Sequence, residues 1–320
     1  PSSFEKIVQK DAKELFGSNY TGVSLFSGGL DSLIGAIDTL EAGKAPLLVS
    51  HAGDGATSKA QELCFEKLKA NYKKISFSRL RFWLNIPGDI FKGIQTEDTT
   101  RGRSFLFFAL GVLAGTGINP PFELQVPENG LIALNVPLDA LRLGSLSTRT
   151  THPFYMNCWN DLLSALGIDG KLDNPYWNKT KREMVENCAN KKLLKKIIPF
   201  SISCSSPTKG RWQGIGTEHC GYCLPCLIRR ASIKNDSTKY TLENINTQTL
   251  NTLRSEGQQI RSFQIAIKRL AKNPALAKIL IYKPGPLPRD PMIVSELADV
   301  YRRGMVEVGK LLSQAKTKPE

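Results

Sequence analysis

No apolar run in the 320 residues reaches membrane-spanning length, and no charged-then-apolar leader opens the chain. A membrane partner is therefore not expected. No long block of lysine and arginine stands out either, although 43 basic residues against 29 acidic ones give a formal charge of +14. A pI near 9.5 permits contact with nucleic acid without requiring it. Dispersed cations serve equally well as a solvated surface, with a few charges kept for a polyanionic ligand. Composition is otherwise that of a globular protein, with 41% hydrophobic and 22% charged residues. The first residue is Pro1 rather than Met, so a preceding N-terminal region is expected.

What is present is organised around Val23-Ser-Leu-Phe-Ser27-Gly28-Gly29-Leu30-Asp31-Ser32. An apolar run stops at Ser27, two glycines follow, and Leu30, Leu33, Ile34 and Ile37 then recur at helical spacing. This pattern predicts a strand, a glycine turn and a helix. Such a junction offers backbone N–H groups and the positive end of a helix dipole to a phosphate. Glycine lets the backbone come close to the anion. The loop lacks the lysine and following Ser or Thr of a Walker A loop. Ser27 and Ser32 instead supply hydroxyls, and Asp31 supplies a carboxylate suited to a magnesium ion shared with phosphate oxygens.

Ala45–Ser50 and Lys74–Leu80 read as further strands, with a helix capped by Thr57 running to about Asn71 between them. The run Leu-Ile-Ala-Leu in 130–134 reads as a fourth strand, and 105–114 and 154–166 as apolar helices. Alternating strands and helices predict an α/β fold with a doubly wound parallel sheet. Ligands of such sheets lie beyond the carboxyl ends of the strands. That rule places Ser27–Ser32, Ser50 and His51 on one rim. It also places there the long polar stretch after the fourth strand, which makes Asp139, Arg149 and His152 candidate substrate residues. Arg103 opens a helix, where a cation opposes the dipole unless it holds an anion, and its planar fork suits phosphate. Residues 1–20 read as a lead-in helix and 21–232 as the nucleotide domain. Residues 233–320 form a helical extension, with helices over 240–256, 260–270 and 293–312.

Four of the seven cysteines gather as Cys204 and Cys220-Gly-Tyr-Cys223-Leu-Pro-Cys226. With no secretion signal this spacing argues for metal and a reducing, cytoplasmic setting rather than disulfides. Four thiolates are a normal structural zinc set, and an iron–sulfur cluster accepts the same ligands. His219 is an alternative to Cys204 as fourth ligand.

The Ser-Gly-Gly-Leu-Asp-Ser loop resembles that of the PP-loop ATP pyrophosphatases. Those enzymes cleave ATP between its α and β phosphates and pass AMP to a substrate oxygen. Together with Gly102-Arg103, the Pro175–Lys181 stretch and the four cysteines, the chain is similar to 7-cyano-7-deazaguanine synthases from about Thr21 to Ala231. That resemblance implies an ATP-dependent carbon–nitrogen ligase using ATP, Mg2+ and Zn2+. Its substrate would be a carboxylate on a 7-deazaguanine, and Lys181 would lie near the nucleotide. The loop 50–55, the long interval from Cys204 to Cys220 and the tail depart from the biosynthetic enzymes. In these features the chain resembles the synthase-like components of bacterial Qat anti-phage systems, which implies an acceptor amine on a protein partner or other Qat components. A tRNA-modifying PP-loop enzyme and a nucleic-acid-binding module with a nucleotide-sensing loop are the alternative expectations.

Overall fold

A computed structural model of the chain describes residues 19–84, 93, 102–118, 120–139, 150–208 and 218–319. The expected lead-in helix and Arg149 lie outside them. Five parallel strands form one sheet: β1 (Gly22–Leu25), β2 (Pro46–His51), β3 (Ser78–Phe82), β4 (Phe122–Gln125) and β5 (Gly170–Asp173). Their order is β3-β2-β1-β4-β5. β1 therefore sits in the middle, where the order reverses between β2 and β4. In an open α/β sheet this is where a binding crevice forms.

Both faces of the sheet are covered, and the period-2 alternation of β1 and β2 shows how. Val23, Leu25, Leu47 and Val49 point to one face, where α3 (Arg103–Thr116) and α5 (Pro153–Ala165) pack through Phe108, Met156 and Trp159. Phe26 and Leu48 point to the other, onto α1 (Leu30–Glu41), α6 (Lys181–Asn187) and α7 (Lys191–Ile197). Between them in sequence lie α2 (Gly55–Asn71) and α4 (Gly130–Leu134), and α8 (Leu224–Ser232) follows the cysteines. The remaining helices are α9 (Ser255–Lys272), α10 (Ala277–Leu280) and α11 (Pro291–Leu311). Three-residue strands β6 (Thr249–Asn251) and β7 (Lys316–Lys318) pair with each other.

The C-terminal helices share one apolar core with α4 and α8. Leu131 and Leu134 of α4, Leu227 and Ile228 of α8, Phe263 of α9 and Val300, Tyr301 and Met305 of α11 all belong to it. No helix among the described residues is long and apolar enough to cross a membrane.

Several boundaries differ from the sequence reading. Gly130–Leu134 is a helix, not the fourth strand, because Asn129 caps it by accepting from Ile132 N. The fourth strand is Phe122–Gln125, eight residues upstream. The third strand begins at Ser78 rather than Lys74. α2 is capped by Asp54, whose carboxylate accepts from both the N–H and the hydroxyl of Thr57. Thr57 is thus the capped residue, not the cap. The expected helix over 240–256 is replaced by turns in which the side chains of Asn244 and Asn251 accept backbone N–H groups two residues on.

Candidate functional site

A cavity of about 360 Å3 opens at the carboxyl end of β1. Ser27, Gly29, Leu30, Asp31 and Ser32 line one side of it; Arg103, Glu128, Thr151, Lys181, Ser203 and Cys204 are among the residues on the others. The volume lies within the range of small-molecule sites.

The glycine turn is built for close approach. Gly28 has φ +77°, a left-handed conformation, and a Cβ there would lie 2.9 Å from Gln61 N. The hydroxyls of Ser27 and Ser32 are 3.1 Å apart across the turn. Helix α1 begins at Leu30 with Gly29 as its N-cap and no side-chain cap, whereas α2, α4 and α6 are capped by Asp54, Asn129 and Thr180. The neighbouring segment 201–204 holds the turn in place. Ile202 N donates to Gly28 O at 2.9 Å, and Leu30 N donates to Ser203 Oγ at 3.3 Å. Gly28→Ala is expected to cost about 1–2 kcal/mol in backbone strain alone. Its melting temperature should fall accordingly, and scanning calorimetry of the variant reads the change.

Asp31 and Lys181 form a buried ion pair. Lys181 Nζ donates to Asp31 Oδ1 at 2.6 Å, with the two side chains 3% and 9% exposed. Asn129 donates to Asp31 Oδ2 from its side chain at 2.7 Å and its backbone at 3.2 Å. Three donors thus converge on Asp31. A magnesium ion would have to share this carboxylate with them. Lys181 reaches the site from the first residue of α6, which Thr180 and Glu183 close with a capping box.

Arg103 also reaches the cavity, half exposed and 4.0 Å from Asp54. His51 lines it as well, its imidazole held below the ordinary histidine range by burial and then by the Arg103 charge. His51 Nε2 and Gln61 Oε1, both on the cavity wall, are buried with no hydrogen-bond partner among the described residues. Ser50 is fully buried and turns its hydroxyl to Phe26 O at 2.8 Å. It supports β1 rather than facing the cavity.

Two of the three substrate candidates are not in the cavity wall. Asp139 accepts a hydrogen bond from Ser262 of α9 at 2.7 Å, so it belongs to the contact with the C-terminal helices. His152 caps α5, its Nδ1 accepting from Phe154 N at 3.3 Å. The third, Arg149, is outside the described residues. Glu128, Thr151, Gln61 and Ser203 line the cavity but were not singled out from sequence. Glu128 could have been found had the fourth strand been placed correctly, since it follows the end of β4 by three residues.

The sulfurs of Cys204, Cys220, Cys223 and Cys226 lie within 4.8 Å of one another, with Cys204–Cys223 and Cys220–Cys226 each at 3.9 Å. A tetrahedron with ~2.3 Å metal–sulfur bonds places its sulfurs ~3.8 Å apart. The four cysteines can therefore hold a metal such as zinc. Hydrogen bonding from the neighbouring thiols, Cys204 first, holds Cys223 well below the ordinary thiol range. His219 is not part of the cluster; its Nε2 accepts from Ser203 N at 3.0 Å. Burial, then the nearby Arg229 charge, pushes its pKa down to about 3, which keeps it neutral for that role.

Arg229 on α8 ties these parts together. Fully buried, it donates to Ser201 Oγ at 3.0 Å, Ser203 Oγ at 3.2 Å and Ile198 O at 2.8 Å. Ser203 is in turn the acceptor for Leu30 N. The segment 201–204 thus connects the cysteine cluster to the glycine turn.

No protein-family model matches the chain, and no curated protein matches it either.

Proposed function

We propose that the cavity is the active site of an ATP-dependent ligase of the PP-loop type. It would adenylate a carboxylate, release pyrophosphate and hand the acyl group to an amine. The observation that carries this reading is the convergence at the end of β1 of an uncapped helix start, a left-handed glycine turn, two hydroxyls and the cations Lys181 and Arg103. An arrangement of N–H donors and cations around one small volume suits polyphosphate.

The residues fit the groups such a reaction needs. Gly28, at positive φ and pressed against the backbone of α2 at Gln61, gives the turn a shape that only glycine takes up freely. The unpaired Gln61 Oε1 and His51 Nε2 are atoms that a nucleobase edge would satisfy. Ser27, Gly29, Leu30 and Ser32 would hold the leaving phosphates, with Lys181 and Arg103 neutralising the charge that develops as pyrophosphate departs. Asp31 holds the Lys181 side chain in place through their ion pair. Magnesium supplies charge neutralisation on the phosphate oxygens when bound. Cys204, Cys220, Cys223 and Cys226 would hold zinc structurally, since four thiolates leave no position for water.

The acyl substrate is taken to be a 7-deazaguanine carboxylate, on the similarity to 7-cyano-7-deazaguanine synthases, and the setting to be anti-phage defence. The deciding experiment is to incubate the protein with ATP, magnesium, 7-carboxy-7-deazaguanine and ammonium, then follow pyrophosphate, AMP and new products by mass spectrometry. AMP and pyrophosphate formed in equal amounts only when the carboxylate is present support the reading. ATP left intact with this and a panel of other carboxylates rejects it.

A further inference from the structure

Two carboxyl side chains line the cavity, and their surroundings differ sharply. Asp31 is matched by the Lys181 ammonium and by Asn129. Glu128 has a hydroxyl, that of Thr151, donating to it. Among the described residues, no lysine or arginine forms an ion pair with it.

Glu128 is nevertheless held firmly. Its N–H donates to Asn174 Oδ1 at 3.2 Å, and its carbonyl accepts from Asn174 Nδ2 at 2.8 Å. Asn174 lies just past β5, so the neighbouring strand locks the backbone while Thr151, at the entry to α5, locks the side chain. The next residue, Asn129, is the one that grips Asp31. Glu128 is therefore placed beside the phosphate loop with its carboxyl fixed in the cavity wall. A carboxylate fixed in this way, with no ion-pair partner of its own among the described residues, is suited to accepting a proton.

Burial has the largest effect on its carboxyl, and the charged groups around it act in opposite directions. Burial raises its pKa, and the Asp31 charge adds to that; the Thr151 hydrogen bond and Lys181 oppose it, leaving it at about 7. Arg103 and His51 also line the cavity. Where two acidic groups share a site and one is neutralised while the other is raised, their roles divide accordingly.

We propose that Glu128 is the general base of the second half-reaction, taking the proton that the attacking amine sheds. The inference rests on the ligase reading above. The amine lone pair forms the C–N bond at the acyl carbon. The bond from that carbon to the adenylate oxygen breaks, and AMP leaves with the electron pair. One N–H proton passes to a Glu128 oxygen, so an acyl adenylate, an amine and a carboxylate become an amide, AMP and a carboxylic acid. Lys181, committed to Asp31 and to the phosphates, plays no part in that transfer.

Glu128→Gln tests this, because glutamine keeps the shape and an acceptor for Thr151. With ATP, 7-carboxy-7-deazaguanine and ammonium, the variant is expected to release its first equivalent of pyrophosphate within about threefold of the wild-type rate. Product formation should fall by about 10²–10⁴-fold, the range for losing a general base. Hydroxylamine, a nucleophile that needs no base, should still trap the acyl adenylate. At each pH the rate is divided by the concentration of free ammonia; so corrected, wild-type single-turnover amide formation should rise with pH through about 7 and then level, and the variant should lack this rise. Independently of turnover, carbon-13 NMR of the protein alone should show one carboxyl titrating near pH 7 that is missing from Glu128→Gln.

Wild-type amine capture by the variant would overturn the assignment. So would an equal loss of pyrophosphate release, which would give Glu128 to the nucleotide or its magnesium. A raised KM for the carboxylate at unchanged kcat would instead make it a contact to the substrate ring, and would also overturn it. Absence of pyrophosphate release by the wild-type protein would reject the ligase reading itself, a result distinct from any of these.

Discussion

Lys181→Met is expected to slow ATP-dependent pyrophosphate release by about a hundredfold or more and to destabilise the protein by about 3–5 kcal/mol. The two effects have different origins and can be separated. The loss of stability arises at Asp31. With Lys181 gone, its carboxylate stays buried, 9% exposed, with only Asn129 to meet it. An unpaired buried charge costs more than the pair contributed. The loss of rate arises because a fixed cation beside the departing pyrophosphate is replaced by an apolar side chain. The double variant Asp31→Asn/Lys181→Met removes both charges, and the side chain at position 31 still accepts from Asn129. It should recover most of the stability while pyrophosphate release stays low. Thermal melts and a pyrophosphate assay on the two variants check this. If the double variant melted no higher than Lys181→Met, the pair would not be the source of the instability. If it released pyrophosphate at the wild-type rate, Lys181 would have no place in the chemistry.

The glycine turn was legible in the sequence because it is local. Two glycines between an apolar run and a helical repeat leave few conformations, and both the turn and α1 lie where the pattern puts them. The cysteine cluster was legible because the spacing of Cys220, Cys223 and Cys226 forces their sulfurs together. Lys181 needed the resemblance to known enzymes, since its partner Asp31 lies 150 residues away and nothing local pairs them.

The misreadings share a cause. Leu131–Leu134 is a short apolar run, which periodicity cannot assign to strand or helix. Reading it as a strand moved the rim, at the strand's carboxyl end, from Gln125 to Leu134 and put Asp139 where Glu128 belongs. The asparagine before the run was the available signal, because an Asn followed by a short apolar stretch is also a helix start. Leu131 and Leu134 are buried for a reason the sequence hides. They pack on Val300, Tyr301 and Met305, so the C-terminal helices supply the apolar wall that a sheet was expected to supply.

Stripping metal from the cysteine cluster should lower the melting temperature and weaken nucleotide binding together. Structural zinc in small thiolate sites contributes about 10–16 kcal/mol, comparable with the whole net stability of about 5–15 kcal/mol of a typical domain. Cys226 is fully buried and lies in the first turn of the helix from which Arg229 reaches Ser201 and Ser203. Those residues flank Ile202, which holds Gly28, and Ser203 itself holds Leu30. Loosening α8 therefore frees the segment that clamps the glycine turn. Cys226→Ser is expected to bind less than a tenth of the metal bound by the wild type, to expose the core shared with α11, and to lose measurable affinity for an ATP analogue. Cys64→Ala makes the contrast. Its thiol is buried in the core between α1 and α2, pushed up to about 12 by burial, and is no part of the cluster. That variant should keep full metal content and tight nucleotide binding, at the stability cost of a small cavity. Elemental analysis, melting and calorimetric titration of the two variants read all three quantities. Cys226→Ser protein that lost its metal yet bound nucleotide as tightly as wild type would show that the cluster and the turn are independent, and that 201–204 is only a spacer between them.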